Sequence, residues 1–454
     1  SNYKEEPMTK LFNIIAVSLM SFSFFAVGML STTDAFAKDW YVSANKGKGK
    51  KGSKKRPAKD LGNITKRLKA GDTVHIAGGT YLGRGKNGST VITVPVSIIG
   101  GYDESFTSRD PWGAHKTVLS GLNRNNKNWV SSPTLMIDLN KYRGKLMPAI
   151  MVDGLIVDNA DRNRYKTDKQ LAIVRTANPK KGDMPTPDRG GLIVSASKTG
   201  NFQETWNITV QNCVVMNTAP TQGALSVSAY KGSKVTVRNN IVMNNTGYGM
   251  LIGSKFMGSD NYPAFTVENN TVLFTWKYDS YVQSMPGSAI GFDQTTTSTV
   301  KHNVFAMTDR FAVDNIKKAN ILLAENLILG NVEADYLEFN TRINLADIED
   351  EAEALHEDSF DNVADKITIP VSAEWAKNYG ARVLIDRNAA EADIKVQQTR
   401  ANDLRSILGL PLQADDLKTE ESPVWLHRLS IDDAIKAGSS AYLGKYGASK
   451  ANIK

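Results

Sequence analysis

Short apolar runs recur along the middle of the chain, each broken at the same point by a polar residue. Val210-Gln211-Asn212-Cys213-Val214-Val215-Met216 is followed by Val237-Arg238-Asn239-Asn240-Ile241-Val242-Met243, and then by copies that begin at Val267, Val300 and Leu323. The starts lie 27, 30, 33 and 23 residues apart, the period of a solenoid repeat. Met151 to Val157 reads as an earlier copy. The fourth position of the phrase holds Asn240, Asn270, Asn303 and Asn326, with Gly154 and Cys213 in the other two copies. Asn and Gly enter the left-handed backbone region at least cost, so a bend is expected at that residue, between two β-branched strands. Another strand precedes each phrase, near Leu192, Leu225, Leu251, Ile290 and Phe311, which predicts three strands per turn. An antiparallel sandwich with Asn-rich turns would explain neither the in-register corner nor the lack of hairpin dipeptides between copies.

Stacked about 4.8 Å apart, the corner side chains would hydrogen-bond into a ladder inside the wall. This pattern resembles the asparagine ladder of right-handed parallel β-helix proteins, the pectate-lyase-like superfamily. The resemblance implies an all-β, right-handed, three-sheet solenoid. Tyr41-Val42-Ser43, a polar loop, Gly71-Asp72-Thr73-Val74 and Gly79-Thr80-Tyr81 follow the order of the first coil in many exported members. Val94 to Tyr102 and Thr117 to Gly121 continue the likeness.

Ahead of that coil, Met8-Thr9-Lys10 leads into an almost unbroken apolar run from Leu11 to Leu30, and then into Ala35-Phe36-Ala37. A positive start, an apolar core and a small-x-small step predict a secretory signal peptide over residues 1–37. The protein is therefore expected in the periplasm, at the cell surface or secreted. Residues 38–121 read as an N-terminal cap with the first coils, 122–331 as the solenoid, and 332–454 as a C-terminal extension packed on it. The cap is expected to contain a short amphipathic helix from Asp60 to Leu68. In the extension, helix is expected over residues 345–356, 373–379, 399–408 and 431–437. Ala437-Gly438 and Tyr446-Gly447-Ala448 resemble the closing segment of family members.

The formal charge is +8, and it rises to +9 without residues 1–37, which carry two lysines and three acids. A basic exported protein suits an acidic polysaccharide or cell-envelope glycan as partner, rather than nucleic acid. No stable membrane insertion is expected after signal cleavage. Cys213 is the single cysteine, so no intramolecular disulfide can form, and its corner position predicts burial. The seven lysines and one arginine between Lys46 and Lys59 are expected to form a mobile, solvated loop, with a docking arm for an anionic glycan as the alternative. Glu333 to Asp365 holds twelve acids against one arginine.

Lysines follow the first strand of three coils, at Lys198, Lys231 and Lys255. β-Helix lyases of the resembled superfamily use Lys or Arg as the base that removes the proton beside a uronate carboxylate. The resemblance therefore implies Lys231 or Lys255 as base, with Arg238 neutralising the carboxylate. His302 is a candidate for proton transfer. Lys198, Tyr230, Trp276 and Tyr278 are expected to bind substrate, the aromatics by stacking on sugar rings. Strand alternation puts Asp293 and Asp314 on the outer face of neighbouring coils, as Ca²⁺ ligands or as a glycosidase acid and base. The Asn-Thr-Asp, Asp-Asp and Gly-His-Gly signatures of polygalacturonase-type hydrolases are absent from these coils. The expected function is binding of an anionic polysaccharide, with β-elimination as its chemistry; the alternative is a non-catalytic surface or matrix scaffold.

Overall fold

The computed structural model describes residues 37–83, 88–121, 133–159, 190–196, 205–218, 223–230, 232–254, 262–276, 278–279, 284–295, 298–365, 367–373, 375, 402, 406–408, 412, 428–439 and 445–453. Apart from Ala37, the expected signal peptide lies outside these residues. The strands assemble into a three-sheet parallel β-helix. The first sheet stacks nine strands from Asp39–Val42 to Ile321–Ala324, and the second stacks eight from Gly79–Leu82 to Leu327–Leu329. The third runs from Thr90–Ile92 to Ala334–Glu338 and closes with the antiparallel strand Thr341–Ile343.

Alternation decides which side chains fill the bore. In the first sheet Val74, Ile98, Val152, Val210, Val237, Val267, Val300 and Leu323 pair in register as one inward row, each fully buried. Each such side chain contributes roughly 1.5–3 kcal/mol by leaving water.

The corner differs from expectation by one residue. The left-handed position is the third of the phrase, where Asn212, Asn239, Asn269, His302 and Glu325 have φ of 52–56°. Bending there turns the fourth residue inward, and Asn240, Asn270, Asn303 and Asn326 are completely buried. Each donates its Nδ2 to the next rung's Oδ1 at 2.9–3.0 Å, and that same oxygen accepts the donor's own backbone N–H. Gly154, with φ of 68°, pairs in line with Asn212 rather than Cys213, so the earliest copy starts at Val152 and its ladder position is Leu155. A second corner carries left-handed Asn217, Asn244, Phe274, Met307 and Gly330. There Thr218 donates from both its N–H and its hydroxyl to Asn245 Oδ1, and the Thr308 hydroxyl donates to Asn331 Oδ1.

The coil continues past residue 331. Ala334–Glu338 pairs in parallel with Phe311–Asn315, Leu355 and Val363 bridge to Ile321 and Leu327, and Asn362 is the ladder's last rung. At the other end the expected amphipathic helix is two 3₁₀ turns, Leu61–Asn63 and Thr65–Arg67, the first capped by Asp60. Of the expected helix over 345–356, a 3₁₀ turn at Leu345–Asp347 and the four-residue Ile348–Glu351 form.

Helix Ile431–Gly438 does form, N-capped by Ser430, and lies on the second sheet. That sheet is apolar outside as well as inside. Val214, Met216, Ile241, Met243, Leu273 and Val304 face outward beneath Leu429, Ala434, Ile435, Ala437 and Trp375. Leu429 and Asn217 exchange hydrogen bonds, and Thr271 Oγ1 donates to Gly438 O at 2.7 Å.

Asn270→Ala removes a buried acceptor of two bonds and a donor of two others, stranding groups on both neighbouring coils. Unfolding in urea should show a loss of about 3 kcal/mol or more. The Cys213 thiol is fully buried and pushed up to about 12 by that burial. A thiol reagent should leave it unmodified in the native protein and label it only after denaturation.

Candidate functional site on the third sheet

Each sheet has an outer face, and the three differ in what they leave open. The second is covered by the C-terminal segment. The first carries a row of groups that satisfy one another. Arg109 holds Asp153 through both guanidinium amines, Gln211 donates to Asp153 at 2.9 Å, and Arg238 Nε donates to Gln211 at 2.8 Å. Glu268 and Lys301 follow in register.

The third sheet is built differently. Ser226, Leu251, Gly291 and Asp314 stand opposite one another on successive strands. Tyr248, on the strand before Gly291, lays its ring across that glycine. A Cβ on Gly291 would come within 2.5 Å of the ring, so only glycine lets the phenol pass. The Tyr248 hydroxyl reaches Asp314 Oδ2 at 3.1 Å, and Asp314 Oδ1 accepts the Ile316 amide at 3.3 Å. Only 3% of Asp314 is exposed. Burial raises its carboxyl above the usual range, against the lowering effect of the Tyr248 hydrogen bond and Arg310. Burial also pushes the Tyr248 phenol far up, helped by the charge of Asp314 and, more weakly, of Asp293. Arg310 bonds Glu333 at 2.7 Å and stacks over Phe311, whose ring packs with Ala334 and Leu337. The result is a buried phenol that donates to a buried carboxyl, with burial making both groups harder to ionise.

Strands Leu192–Ala196, Gly223–Ala229 and Tyr248–Gly253, which lead into Lys198, Lys231 and Lys255, are consecutive neighbours in the third sheet. The three lysines lie outside the described residues. Arg238 and His302 instead belong to the first sheet and its corner. Arg238 is the last residue of strand Lys234–Arg238 and is exposed. His302 bonds Glu325 at 3.3 Å, and Glu325 is lowered by Lys445 first and His302 second.

Trp276 is not on an open face. It is buried on the second sheet, donates to Asn244 Oδ1 at 2.9 Å, and lies 6.5 Å from the Trp375 ring. Tyr230 is half-buried at the end of Gly223–Ala229, and Tyr278 belongs to a two-residue antiparallel pairing with Ser284–Met285. Asp314 lies on the third sheet and pairs with Gly291, while Asp293 follows the end of strand Ser288–Phe292. Asp314 accepts from the Tyr248 hydroxyl at Oδ2 and from the Ile316 amide at Oδ1. Among the described residues no cluster of three or more His, Cys, Asp or Glu could hold a metal.

Two features were not anticipated from sequence. One is the Tyr248 to Asp314 contact across Gly291. The other lies at the N-terminal end, where His75 bridges Asp39 and Tyr102 at 3.0 Å each. It adjoins a cleft of ≈ 350 Å³ lined by Tyr102, Glu104, His115 and Lys116. No helix among the described residues is long and apolar enough to cross a membrane.

No known family model matches the chain, and none of the curated proteins matches it in sequence. Among solved structures it is similar to a GH136 lacto-N-biosidase from Eubacterium ramulus, at 10% identity and a TM-score of 0.23, over 72% of this chain and 67% of the other. A rhamnogalacturonan lyase matches at 10% identity and a TM-score of 0.22, over 79% and 98%. Likenesses this distant do not bear on the activity of this chain.

A carboxyl raised by burial penalises folding only where it would be ionised. For Asp314 the penalty is absent below the unfolded-state value of 3.8 and grows as pH rises from there through the folded value. Asp314→Asn should therefore match the parent's melting temperature in acid and exceed it at neutral pH. A difference independent of pH would show that Asp314 bears no such penalty.

Proposed function

We propose that the protein is an exported member of the pectate-lyase-like superfamily that binds an anionic polysaccharide along the outer face of the third sheet. The observation that carries this reading is the Tyr248 to Asp314 pair, a phenol and a carboxyl brought together on the same sheet whose strands lead into Lys198, Lys231 and Lys255. Basic strand ends would hold uronate carboxylates, and the phenol would bond ring or glycosidic oxygens. β-Elimination is the chemistry this face would carry. A lysine, Lys231 or Lys255, would take the proton beside the carboxylate, and Tyr248 would protonate the departing oxygen. The hydrogen-bonded row on the first sheet and the cover on the second support the placement, since both faces are already engaged within the protein.

A non-catalytic surface scaffold is the second reading. It is favoured by the buried state of Asp314, whose two oxygens are both already bonded within the protein.

The test is incubation with a panel of uronate polymers, with and without Ca²⁺, following ultraviolet absorbance from unsaturated chain ends and binding by calorimetry. Binding with product is expected. Tyr248→Phe should lower the rate about 10²-fold or more with binding nearly unchanged, and Lys231→Ala or Lys255→Ala should abolish product. Binding without product on every polymer leaves the scaffold reading, and absence of binding removes both.

A further inference from the structure

We propose that the Lys46–Lys59 loop is a preformed binding site for a linear polyanion at the N-terminal end of the solenoid. It does not rest on the third-sheet reading, because the loop sits on the first strand of the first sheet.

The loop is ordered where a mobile one was expected, and glycine is the physical reason. Tyr41 N donates to Gly52 O at 2.9 Å, Ala58 N to Tyr41 O at 2.8 Å, and Lys48 N to Pro57 O at 3.0 Å. Gly52 packs directly on the Trp40 ring, where a Cβ would meet ring carbon at 2.7 Å, and its φ of 72° also favours glycine. The backbone therefore wraps tightly around the sheet edge and turns every charged side chain outward.

All eight cations are exposed, and no acid lies within the loop. None of them makes an ion pair among the described residues; Lys46 and Lys54 reach only backbone carbonyls. Elsewhere Lys116, Arg310, Lys318 and Lys445 are tied to carboxylates. The nearest acid in sequence after the loop, Asp60, caps a 3₁₀ turn. A fixed array of unneutralised charge binds polyanions by releasing their counterions, with little ordering cost left at the backbone. Lysines rather than arginines suit closely spaced phosphate, sulfate or carboxylate groups met as point charges. Pro57 and Ala58 are buried, so the loop offers no apolar side chain for insertion into a lipid surface, which favours a linear polymer.

Lysines also guard sheet edges against pairing with other chains, and the experiment separates the two roles. Long-chain inorganic polyphosphate is titrated into the full chain over a range of salt, beside polygalacturonate and anionic phosphatidylglycerol vesicles. Affinity for polyphosphate should fall steeply with salt. Replacing Lys50, Lys51, Lys54 and Lys55 together by Ser should weaken it at least tenfold and reduce the log–log salt slope by about 2–3. The fourfold Lys→Arg variant should bind like the parent, and Tyr248→Phe should leave polyphosphate binding intact. Polygalacturonate binding lost in the Ser variant would place carboxylate polymers on this same loop. The proposal is overturned if the Ser variant keeps its affinity and slope, whether or not it self-associates as an unguarded edge would. Binding to vesicles but not to polyphosphate also overturns it, in favour of a membrane surface.

Discussion

Buried amides that only the next coil can satisfy hold this solenoid in register. Each ladder asparagine places one oxygen where it accepts both the backbone and the side-chain N–H of its neighbour, so a missing rung strands groups on two coils. The inward row of valines is almost indifferent to exchange between coils, since most of its members are alike. Amide geometry, not apolar burial, therefore aligns the corners. Because side chains alternate from face to face along a strand, that alignment also decides which groups can meet outside.

On that frame the outer faces have diverged. The second sheet gave up solvent exposure and takes a helix, two tryptophans and the closing segment onto an apolar surface. This cover accounts for left-handed Phe274 and Met307 at the second corner. Such residues cost roughly 1–2 kcal/mol in that conformation, and both are completely buried in the cluster beneath Trp375. The first sheet links its polar groups to one another along Arg109, Asp153, Gln211 and Arg238. The third keeps a carboxyl buried against its charge under a phenol that only a glycine admits. Polar groups held at a cost of this kind mark functional sites more often than chance.

How much of this was legible in the sequence follows from what repeats. The first corner was legible because four asparagines recur at one position, and the fold class followed from them. The left-handed residue itself was misplaced by one, since Asn occupies both the bent position and the ladder position in Asn239-Asn240 and Asn269-Asn270. The second corner was hidden because Asn, Phe, Met and Gly share a conformation there without sharing a side chain. Among site residues, Arg238 lies on the first sheet while the strand before Lys231 lies on the third, because a single coil visits three faces within a few residues. Trp276 reads like its neighbours in the loops, but a cover some hundred residues later in the chain decides its burial. The Tyr248 to Asp314 contact spans 66 residues and depends on a glycine that no local rule singles out.

Charge along the axis ties the two ends to the faces. The basic loop lies on the first strand of the first sheet, and the segment from Glu333 to Asp365, with twelve acids against one arginine, closes the last coils. Pairs to Arg310 and Lys318 offset part of the acidity of the last coils, whereas the cations of the loop make no ion pair among the described residues, so the two ends differ in how much of their charge is left to act at a distance.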